Sequence, residues 1–267
     1  MREVDSDIMK IVVCVKQVPD SWAEKSLSPA DRTLDRESVD AVMNEIDEYA
    51  IEEALRIQEA HGGEVVVLSM GPSQATDTIR KALSMGADSG VHVVDDSLHG
   101  SDAVATALVL SKAIEAQGAD LVLFGSESTD ARMSVVPAMV AERLGLPQLT
   151  FANSVTVDGS SIRTNRVTEY GYDVVEASLP ALVSVVEKTN EPRYPSFKGI
   201  MAAKKKPVQT LDVAGLGLAA DQVGLAAAWS VVADAAARPP KAKGTIVADD
   251  GTGGVAIADF LSAQKFI

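Results

Sequence analysis

The stretch ADLVLFGSESTDARMSVVPAMVAERLGLPQL, residues 119–149, decides the fold. It begins with a short apolar run at 120–124, whose composition is typical of a strand and which ends at Gly125. A polar segment at 126–130 follows. Apolar residues then recur at helical spacing over 136–144, until a glycine and a proline end the pattern. The stretch therefore predicts a strand, a polar loop and a helix, in that order.

The polar loop of this unit is a candidate anion site. In an α/β protein such a loop places backbone N–H groups and the positive end of a helix at the carboxyl end of a strand, where both stabilise an anion. Ligands often bind at these ends, so a nucleotide phosphate is one interpretation. The chain has neither G-x-G-x-x-G nor G-x-x-x-x-G-K-[ST]. A loop that binds nothing is the alternative, and the residues alone leave both open.

Composition restricts the class of protein. The 267 residues are 46% hydrophobic but only 4% aromatic, so a large core of Ala, Val, Leu and Ile is expected. A net charge of −14 argues against nucleic acid as a partner, because phosphates would be repelled. A single cysteine excludes an internal disulfide framework and is typical of a reducing compartment. With three scattered histidines, the composition also argues against a metal site.

The N-terminus and the hydropathy pattern bear on localisation. No apolar stretch approaches the roughly 20 residues that a helix needs to cross a bilayer. The N-terminus MREVDSDIMKIVV is acidic and continues directly into an apolar run, so we expect no signal peptide. Met9 is a second candidate start, with residues 1–8 as an upstream extension. We therefore expect a cytoplasmic protein with no direct membrane insertion.

Strand and helix patterns alternate along the first half of the chain. Continuous apolar runs predict buried strands at 10–15, 64–69, 91–94 and 120–124. Apolar residues at helical spacing predict helices after them, at 44–61, at 75–86, from 102 onward and at 136–144. This alternation predicts an α/β fold: a doubly wound, mainly parallel, nucleotide-binding-like sheet with helices on both faces.

The pattern changes after residue 150. Runs at 154–158 and 162–168 flank an Asp-Gly turn, and 172–176 adds a third candidate strand. We therefore predict a small antiparallel addition. The apolar run at 181–186 is expected to rejoin the main sheet.

The C-terminal part of the chain has little to bury. From residue 208 it is rich in Ala, Gly and Pro, with only brief apolar runs, and such a segment rarely folds alone. We predict an α/β domain at 1–207 and an extended C-terminal arm at 208–267 that packs on another subunit.

The segment NEPRYPSFKGIMAAKKK, residues 190–206, is the most distinctive in the chain. Two prolines restrict its backbone, two aromatic residues lie in a polar context, and three lysines follow in an otherwise acidic protein. A solvated basic start of a helix is one interpretation. A rigid loop that presents an aromatic side chain beside a basic patch is typical of a docking element, which is the other.

Four segments of the chain resemble, in order, the β subunit of electron-transfer flavoproteins, bacterial type. They are KIVVCVKQVPD at 10–20, MNEIDEYAIEEALRIQE at 43–59, IRKALSMGAD at 79–88 and the segment 190–206. The resemblance implies a heterodimer with an α subunit that holds most of the FAD, and a β subunit that is an electron carrier rather than an enzyme. It further implies electrons taken from flavin dehydrogenases, such as the acyl-CoA dehydrogenases of fatty acid oxidation, and passed to a quinone oxidoreductase.

The resemblance also implies an AMP bound in the β subunit at the carboxyl ends of its strands. Ser134, Val135 and Val136 would receive the phosphate through main-chain amides, and Asp130 would orient the loop rather than touch phosphate. The matching positions in this chain are Cys14, Asn44, Glu45, Ile46, Asp47, Met70, Gly125, Ser126, Glu127, Ser128, Thr129, Asp130, Met133, Ser134, Val135 and Val136.

The same resemblance assigns a flavin-side residue and a docking surface. Arg166 matches an arginine near the flavin, where it would supply positive charge. Two positions depart from the family: Val167, next to Arg166, stands where a glutamate is common, and Ser21, after the first strand and beside Trp22, where an aromatic is. Phe197 occupies the position of an apolar anchor, usually Leu, that inserts into a pocket on the dehydrogenase. The docking residues implied are Pro192, Arg193, Tyr194, Phe197, Ile200 and Met201, with lysines at 204–206.

Two other functions stay as alternatives. Some family members carry out flavin-based electron bifurcation, with a second FAD in place of AMP and NADH as the reductant, and tend to carry D-G-x-T-x-x-V-G-P. Residues 130–138, DARMSVVPA, lack the Gly, the Thr and the Gly-Pro pair. A free-standing ATP-binding protein of similar fold is the third possibility, and it leaves residues 190–206 and the long arm unexplained.

Overall fold

A computed structural model describes residues 8–267, so the upstream extension expected at 1–8 lies, apart from Ile8, outside the described residues. Within that range the chain forms eleven strands and seven α-helices. The strands are β1 Lys10–Cys14, β2 Gln17–Pro19, β3 Ala41–Met43, β4 Glu64–Met70, β5 Ser89–Val93, β6 Leu121–Gly125, β7 Gln148–Asp158, β8 Ser161–Thr168, β9 Gly171–Ser178, β10 Ala181–Val185 and β11 Val208–Leu211. The helices are α1 Glu45–His61, α2 Thr76–Met85, α3 Ala103–Gln117, α4 Val136–Leu144, α5 Phe197–Ala203, α6 Gly224–Ala227 and α7 Gly253–Ala263.

Nine strands form one sheet in the order β11-β5-β4-β1-β6-β10-β7-β8-β9. Every pairing from β11 to β7 is parallel, whereas β8 and β9 pair antiparallel at one edge. A separate two-stranded antiparallel sheet joins β2 to β3. The predicted α/β fold, with a mainly parallel sheet and a small antiparallel addition, is thus confirmed.

Side chains of the central strands alternate between two cores, one on each face of the sheet. Ile11 and Val13 belong to a buried cluster with residues of α1 and α2, whereas Val12 belongs to a second cluster with residues of α3 and α4. Both faces of these strands are covered, which explains their continuous apolar sequence. Each fully buried Val, Leu or Ile stabilises the fold by about 1.5–3 kcal/mol.

The ends of helices follow from local chemistry. The Asp102 carboxylate accepts hydrogen bonds of 3.0 Å from the N–H groups of Val104 and Ala105 at the start of α3. Helix α4 ends at Gly145, where φ is 65°, a left-handed conformation that glycine adopts without steric cost. This is the glycine whose position in the sequence predicts the end of the helix.

The predicted C-terminal arm differs from the structure at its start. Residues Val208–Leu211 form β11, which pairs in parallel with β5 at the edge of the main sheet. The chain divides into two compact units, the first ending at Ala233 and the second spanning Asp234–Ile267. The boundary predicted at 207 therefore precedes the structural division, because a four-residue strand carries too little pattern to be recognised before its partner edge is known. Packing of the arm on another subunit stays a prediction.

The second unit, Asp234–Ile267, contains one helix, α7. Its start is ordered by the Asp249 carboxylate, which accepts hydrogen bonds from the N–H groups of Gly251 and Gly253 at 2.9 and 3.0 Å. Apolar side chains of this helix are exposed, including Val255 and Phe260. Within this unit, therefore, the helix has no apolar core of its own.

Candidate functional site

The candidate site lies where the winding of the sheet changes direction. From β1 the chain proceeds outward on one side to β4 and β5, and then returns to place β6 on the other side of β1. In open α/β sheets, ligands bind in the crevice at the carboxyl ends of the two strands that flank this point. Here those ends are Cys14 of β1 and Gly125 of β6, two of the three strand ends that the family resemblance assigns to the nucleotide; the third is Met70 of β4.

Asn44 connects the start of α1 to the loop that follows β6. Its side-chain amide donates to the carbonyl oxygen of Glu127 and to the Asp47 carboxylate, both at 2.9 Å. Its carbonyl oxygen accepts from the Thr129 N–H at 3.1 Å. Asn44 is 1% exposed, so these bonds form out of water and hold the loop in one conformation.

Asp47, in the first turn of α1, lies against the chain just after β1 and against Gly125 at the end of β6. Its carboxylate also accepts a hydrogen bond of 2.8 Å from the Lys16 N–H. A Cβ atom at Gly125 would collide with this carboxylate, so the close approach of β6 requires glycine. Burial raises the pKa of Asp47 to about 7, although the hydrogen bonds from Asn44 and Lys16 favour the charged form. Burial, together with the Asp47 charge, also raises the pKa of the Cys14 thiol well above its usual value. Cys14 is therefore a packed, uncharged side chain.

Asp130 is held by two cations that the sequence does not single out. Lys16 Nζ and Arg36 Nη2 each lie 2.8 Å from its carboxylate, whose side chain is 1% exposed. Burial opposes the charged form, but the nearby Lys16 ammonium and the Arg36 guanidinium lower the pKa of Asp130 to about 2. The carboxylate therefore anchors the loop, and its role in orienting that loop for a phosphate stays a prediction. Lys16 follows the first predicted strand directly, and this position could have indicated a residue of the site. Nothing in the polar segment 21–40 indicates that Arg36 belongs to it.

The segment between Asp130 and α4 is strained. Arg132 and Ser134 adopt positive φ angles of 50° and 55°. Such conformations cost about 1–3 kcal/mol each and cluster at ligand sites. The Ser134 hydroxyl donates to the Glu127 carboxylate at 2.8 Å, which holds the turn against the loop.

Two further features of this loop fit a phosphate-bearing ligand. Helix α4 begins after Val135 with no side-chain cap, so no side chain satisfies the backbone N–H groups of its first turn, in which Pro137 has none to offer. The Thr129 hydroxyl is buried, and among the described residues it has no hydrogen-bond partner. A buried hydroxyl without a partner is expected to form a hydrogen bond with a bound ligand or a water molecule. The residues present are therefore compatible with AMP.

The structure brings most of the sequence-assigned nucleotide residues to this crevice, but their environments differ. Met70 is half-buried at the end of β4, next to β1 in the sheet. Glu45 and Met133 are exposed, and Met133 reaches 55%. The assigned residues that are buried are Cys14, Asn44, Ile46, Asp47, Gly125 and Ser126.

Arg166 lies apart from this crevice, on β8, with β10 and β7 between it and β6. Its Nη2 and Nε atoms donate to the carbonyl oxygens of Gln148 and Thr150 on β7, at 3.1 and 3.2 Å. The guanidinium is therefore fixed in place by the β7 backbone. Its assignment to the flavin side stays a prediction.

Residues 190–206, here called the docking segment, present an exposed apolar surface. Phe197 begins helix α5, and the Ser196 hydroxyl caps it by accepting from the Gly199 N–H at 3.0 Å. Phe197, Ile200 and Met201 share one face of this helix, at the spacing i, i+3 and i+4. Tyr194 is 94% and Phe197 81% exposed. A depression of about 380 Å³ lies between this segment and the end of α2.

A second depression, of about 570 Å³, lies beside the exposed Trp22. It is lined by Asp20, Trp22, Ala23, Glu37, Ser38, Val39 and Asp40. The described residues contain no group of three His, Cys, Asp or Glu side chains placed to hold a metal ion. Over residues 8–267, no helix has both the length and the apolar character needed to span a membrane.

Comparison with known proteins agrees with the sequence resemblance. A family model described as the electron transfer flavoprotein domain matches residues 31–216. The chain is 52% identical over 263 residues to the electron transfer flavoprotein subunit beta of Mycobacterium tuberculosis, covering 96% of this chain and 99% of that protein. It is 36% identical to the subunit of the same name from Megasphaera elsdenii, covering 97% of this chain and 100% of the other. It is also 35% identical to the caffeyl-CoA reductase-Etf complex subunit CarD of Acetobacterium woodii, covering 90% and 92%.

Proposed function

This chain belongs to the electron transfer flavoprotein family, among its β subunits, and we propose that it is the β half of a heterodimeric electron carrier. The observation that carries the proposal is the 52% identity, over 96% of the chain, to a protein of that name. The α subunit would hold most of the FAD. Electrons would come from flavin dehydrogenases, such as acyl-CoA dehydrogenases, and pass to a quinone oxidoreductase.

The crevice between β1 and β6 would hold AMP as a structural ligand. Its phosphate would accept hydrogen bonds from the main-chain N–H groups of Ser134, Val135 and Val136. Asn44 and the Asp130 ion pairs would keep the loop in the receiving conformation without touching the anion. A ligand that binds only the folded state stabilises it by mass action, so AMP would stabilise the subunit without reacting.

The redox chemistry itself would be supplied by FAD when bound, and the chain's own residues would act on its surroundings. Arg166, fixed by two carbonyl oxygens of β7, would place a positive charge on the β side of the flavin. The docking segment would bring a partner dehydrogenase close, with Phe197 as the apolar anchor. In this proposal no side chain of the chain breaks or forms a covalent bond.

Electron bifurcation is the second candidate function. It is favoured by one observation, the 35% identity to a subunit of a caffeyl-CoA reductase complex. The loop argues against it: in residues 130–138, Ala131 and Met133 stand at the Gly and Thr positions of D-G-x-T-x-x-V-G-P, and Pro137 replaces its second Gly. A second FAD in place of AMP is therefore the weaker proposal.

The nucleotide content of the heterodimer separates the two functions. The chain would be co-expressed with its α subunit, purified and denatured with acid, and the released nucleotides resolved by chromatography. One AMP and one FAD per heterodimer are expected. Two FAD without AMP would refute the structural-nucleotide carrier and favour bifurcation. Absence of both nucleotides would refute both functions.

A further inference from the structure

The docking segment buries almost none of its large apolar side chains, so hydrophobic burial does not hold it in place. Tyr194, Phe197, Ile200 and Met201 are all exposed. Within α5 only Ala203 is fully buried. A segment of this kind needs another source of order, since an exposed apolar loop otherwise samples many conformations. The source must lie in its polar contacts.

We propose that Arg193 is a positioning residue, which with Asn190 locks the docking segment onto two buried glutamates of α1 and so fixes the orientation of Phe197 before a partner arrives. The inference rests on the proposed function as an electron carrier, which supplies the partner. It gives Arg193 a role different from direct contact with the dehydrogenase.

Arg193 binds α1 through nearly all of its hydrogen-bond donors. Its Nε and Nη2 atoms donate to the two carboxylate oxygens of Glu52 at 2.7 and 2.9 Å, and its N–H donates to the same carboxylate at 3.1 Å. Its Nη1 atom pairs with Glu59, about two helical turns further along α1. Two parallel bonds from a guanidinium to a carboxylate fix direction as well as distance. The hydrogen bonds that Arg193 donates to Glu52 and Glu59 raise the pKa of Arg193, so it remains charged.

Asn190 makes a second attachment three residues earlier. Its side-chain amide donates to the carbonyl oxygen of Tyr49 and to the Glu53 carboxylate, both at 2.9 Å. Glu52 and Glu53 are 6% and 4% exposed, which is unusual for adjacent carboxylates. Buried charges are stable in a fold only when they are paired. The docking segment supplies the charge partner of Glu52, Arg193, and a hydrogen-bond donor to Glu53, Asn190, while Arg56 of α1 pairs with Glu53 at 3.5 Å.

The far end of the docking segment is attached to α2. Lys206 Nζ donates to the carbonyl oxygens of Leu83, Gly86 and Ala87, which uses all three donors of the ammonium group. Arg80 donates in return to the carbonyl oxygens of Ala203 and Lys206, at 2.7 and 2.8 Å. Lys206 therefore serves the fold rather than a partner, unlike the exposed lysines at 204 and 205.

These attachments hold the docking segment against α1 and α2 and leave its large apolar side chains exposed. Asn190 and Arg193 bind α1, and Lys206 binds the end of α2. A binding element that is ordered in advance loses less conformational entropy on association. If only a fraction of molecules holds the competent conformation, the apparent affinity falls by that fraction. Loss of the Arg193 clamp is therefore expected to weaken docking without changing the chemistry of the flavin.

The test compares Arg193→Met and Arg193→Lys with Lys112→Met in the co-expressed heterodimer. Lys112 is a matched control, since it is a cation on α3 paired with the exposed Glu115 at 2.8 Å, outside the docking segment. Hydrogen exchange of the α5 amides measures the order of the segment. The reaction with an acyl-CoA dehydrogenase reduced by octanoyl-CoA measures docking, and reduction by dithionite measures the flavin alone.

For Arg193→Met we expect about tenfold faster amide exchange in α5 and about a tenfold higher KM for the dehydrogenase, with kcat and the dithionite rate within about twofold of wild type. Arg193→Lys keeps the positive charge but not the two parallel hydrogen bonds of the guanidinium, so its exchange rate and KM should lie between those of wild type and Arg193→Met. Lys112→Met should match wild type. If Arg193→Met does not assemble, Glu59→Gln removes one exposed partner and is expected to show the same changes, smaller in size.

The claim that Arg193 orders the docking segment would be refuted by unchanged amide exchange in Arg193→Met, or in Glu59→Gln if the first variant does not assemble. This outcome does not depend on which partner protein docks. Faster exchange with an unchanged KM would overturn the claim that the clamp positions the segment for docking. A wild-type heterodimer that accepts no electrons from the dehydrogenase would instead refute the proposed function, and the exchange rates would still decide whether Arg193 orders the segment.

Discussion

Substitution of Asp47 by Asn is expected to remove a specific component of the pH dependence of stability. The folded protein raises the pKa of this buried carboxyl from 3.8 to about 7, chiefly through burial. Between those values the folded state holds a proton on Asp47 that the unfolded chain has released. This contribution is therefore fully present below pH 3.8 and is lost as the pH rises through about 7. An anionic phosphate in the crevice would strengthen the effect, because it repels the Asp47 carboxylate.

The size of the effect follows from the two pKa values. Each pKa unit corresponds to about 1.4 kcal/mol, so between pH 5 and pH 8 the wild-type heterodimer should lose about 2–3 kcal/mol of unfolding free energy through Asp47 alone. Other groups titrate over the same range, but they are common to both proteins. The quantity to compare is therefore the change from pH 5 to pH 8 in wild type minus the same change in Asp47→Asn.

The assay is urea unfolding of the co-expressed heterodimer at the two pH values, at one fixed protein concentration because association contributes to stability. Asp221→Asn is the control, since it makes the same chemical change at an exposed position. We expect the control to keep the wild-type pH dependence and Asp47→Asn to lose it in part. A difference below about 1 kcal/mol between wild type and Asp47→Asn would refute the reasoning, because the carboxyl would then titrate alike in both states.

Three other substitutions have expected outcomes. Asp130→Asn should lower the unfolding free energy at pH 7 by about 2 kcal/mol, because the folded protein lowers the pKa of this carboxyl from 3.8 to about 2. The stabilisation from the charged carboxylate is fully present above pH 3.8 and is lost as the pH falls through about 2. Equal urea midpoints for the two proteins at pH 7 would contradict this. Asn44→Ala should reduce AMP affinity by about tenfold while FAD content stays constant, because the loop loses its central hydrogen bonds. Asn153→Ala, at an exposed position, is its control in the nucleotide assay. Phe197→Ala should raise the KM for the dehydrogenase and leave the flavin spectrum intact, whereas Tyr170→Ala, which is 96% exposed but outside the docking segment, should not; equal KM values would show that Phe197 is not the anchor.

The part of the candidate site that lies at the ends of strands could be predicted from the sequence. The run at 120–124, the glycine after it and the helix at 136–144 place Gly125 and the following loop at the carboxyl edge of a parallel sheet. The partners of Asp130 were not predictable in this way. Lys16 and Arg36 precede it by 114 and 94 residues, and a contact over such separations has no local pattern.

The role of Arg193 shows the same limit on the docking side. Its sequence context, two prolines and two aromatic residues, indicates a rigid exposed loop, and the exposed Phe197 agrees with that. The context does not reveal that the guanidinium faces inward. Glu52 and Glu53 lie in a helix rich in acidic residues, where the pattern alone would place both in water, and only the approach of the segment 190–206 explains their burial.

The sequence by itself determined the order of helices α1 to α4 and of the main-sheet strands other than β11, because continuous apolar runs and helical spacing depend on neighbours within a few residues. It also determined the family, because four ordered segments resemble it. Only the tertiary structure decided the pairing of β11 with β5, the two cations that hold Asp130, and the inward direction of Arg193. Each of these joins residues that are far apart in the chain, and the energy of such contacts depends on burial and geometry that exist only after the sheet and its helices have packed.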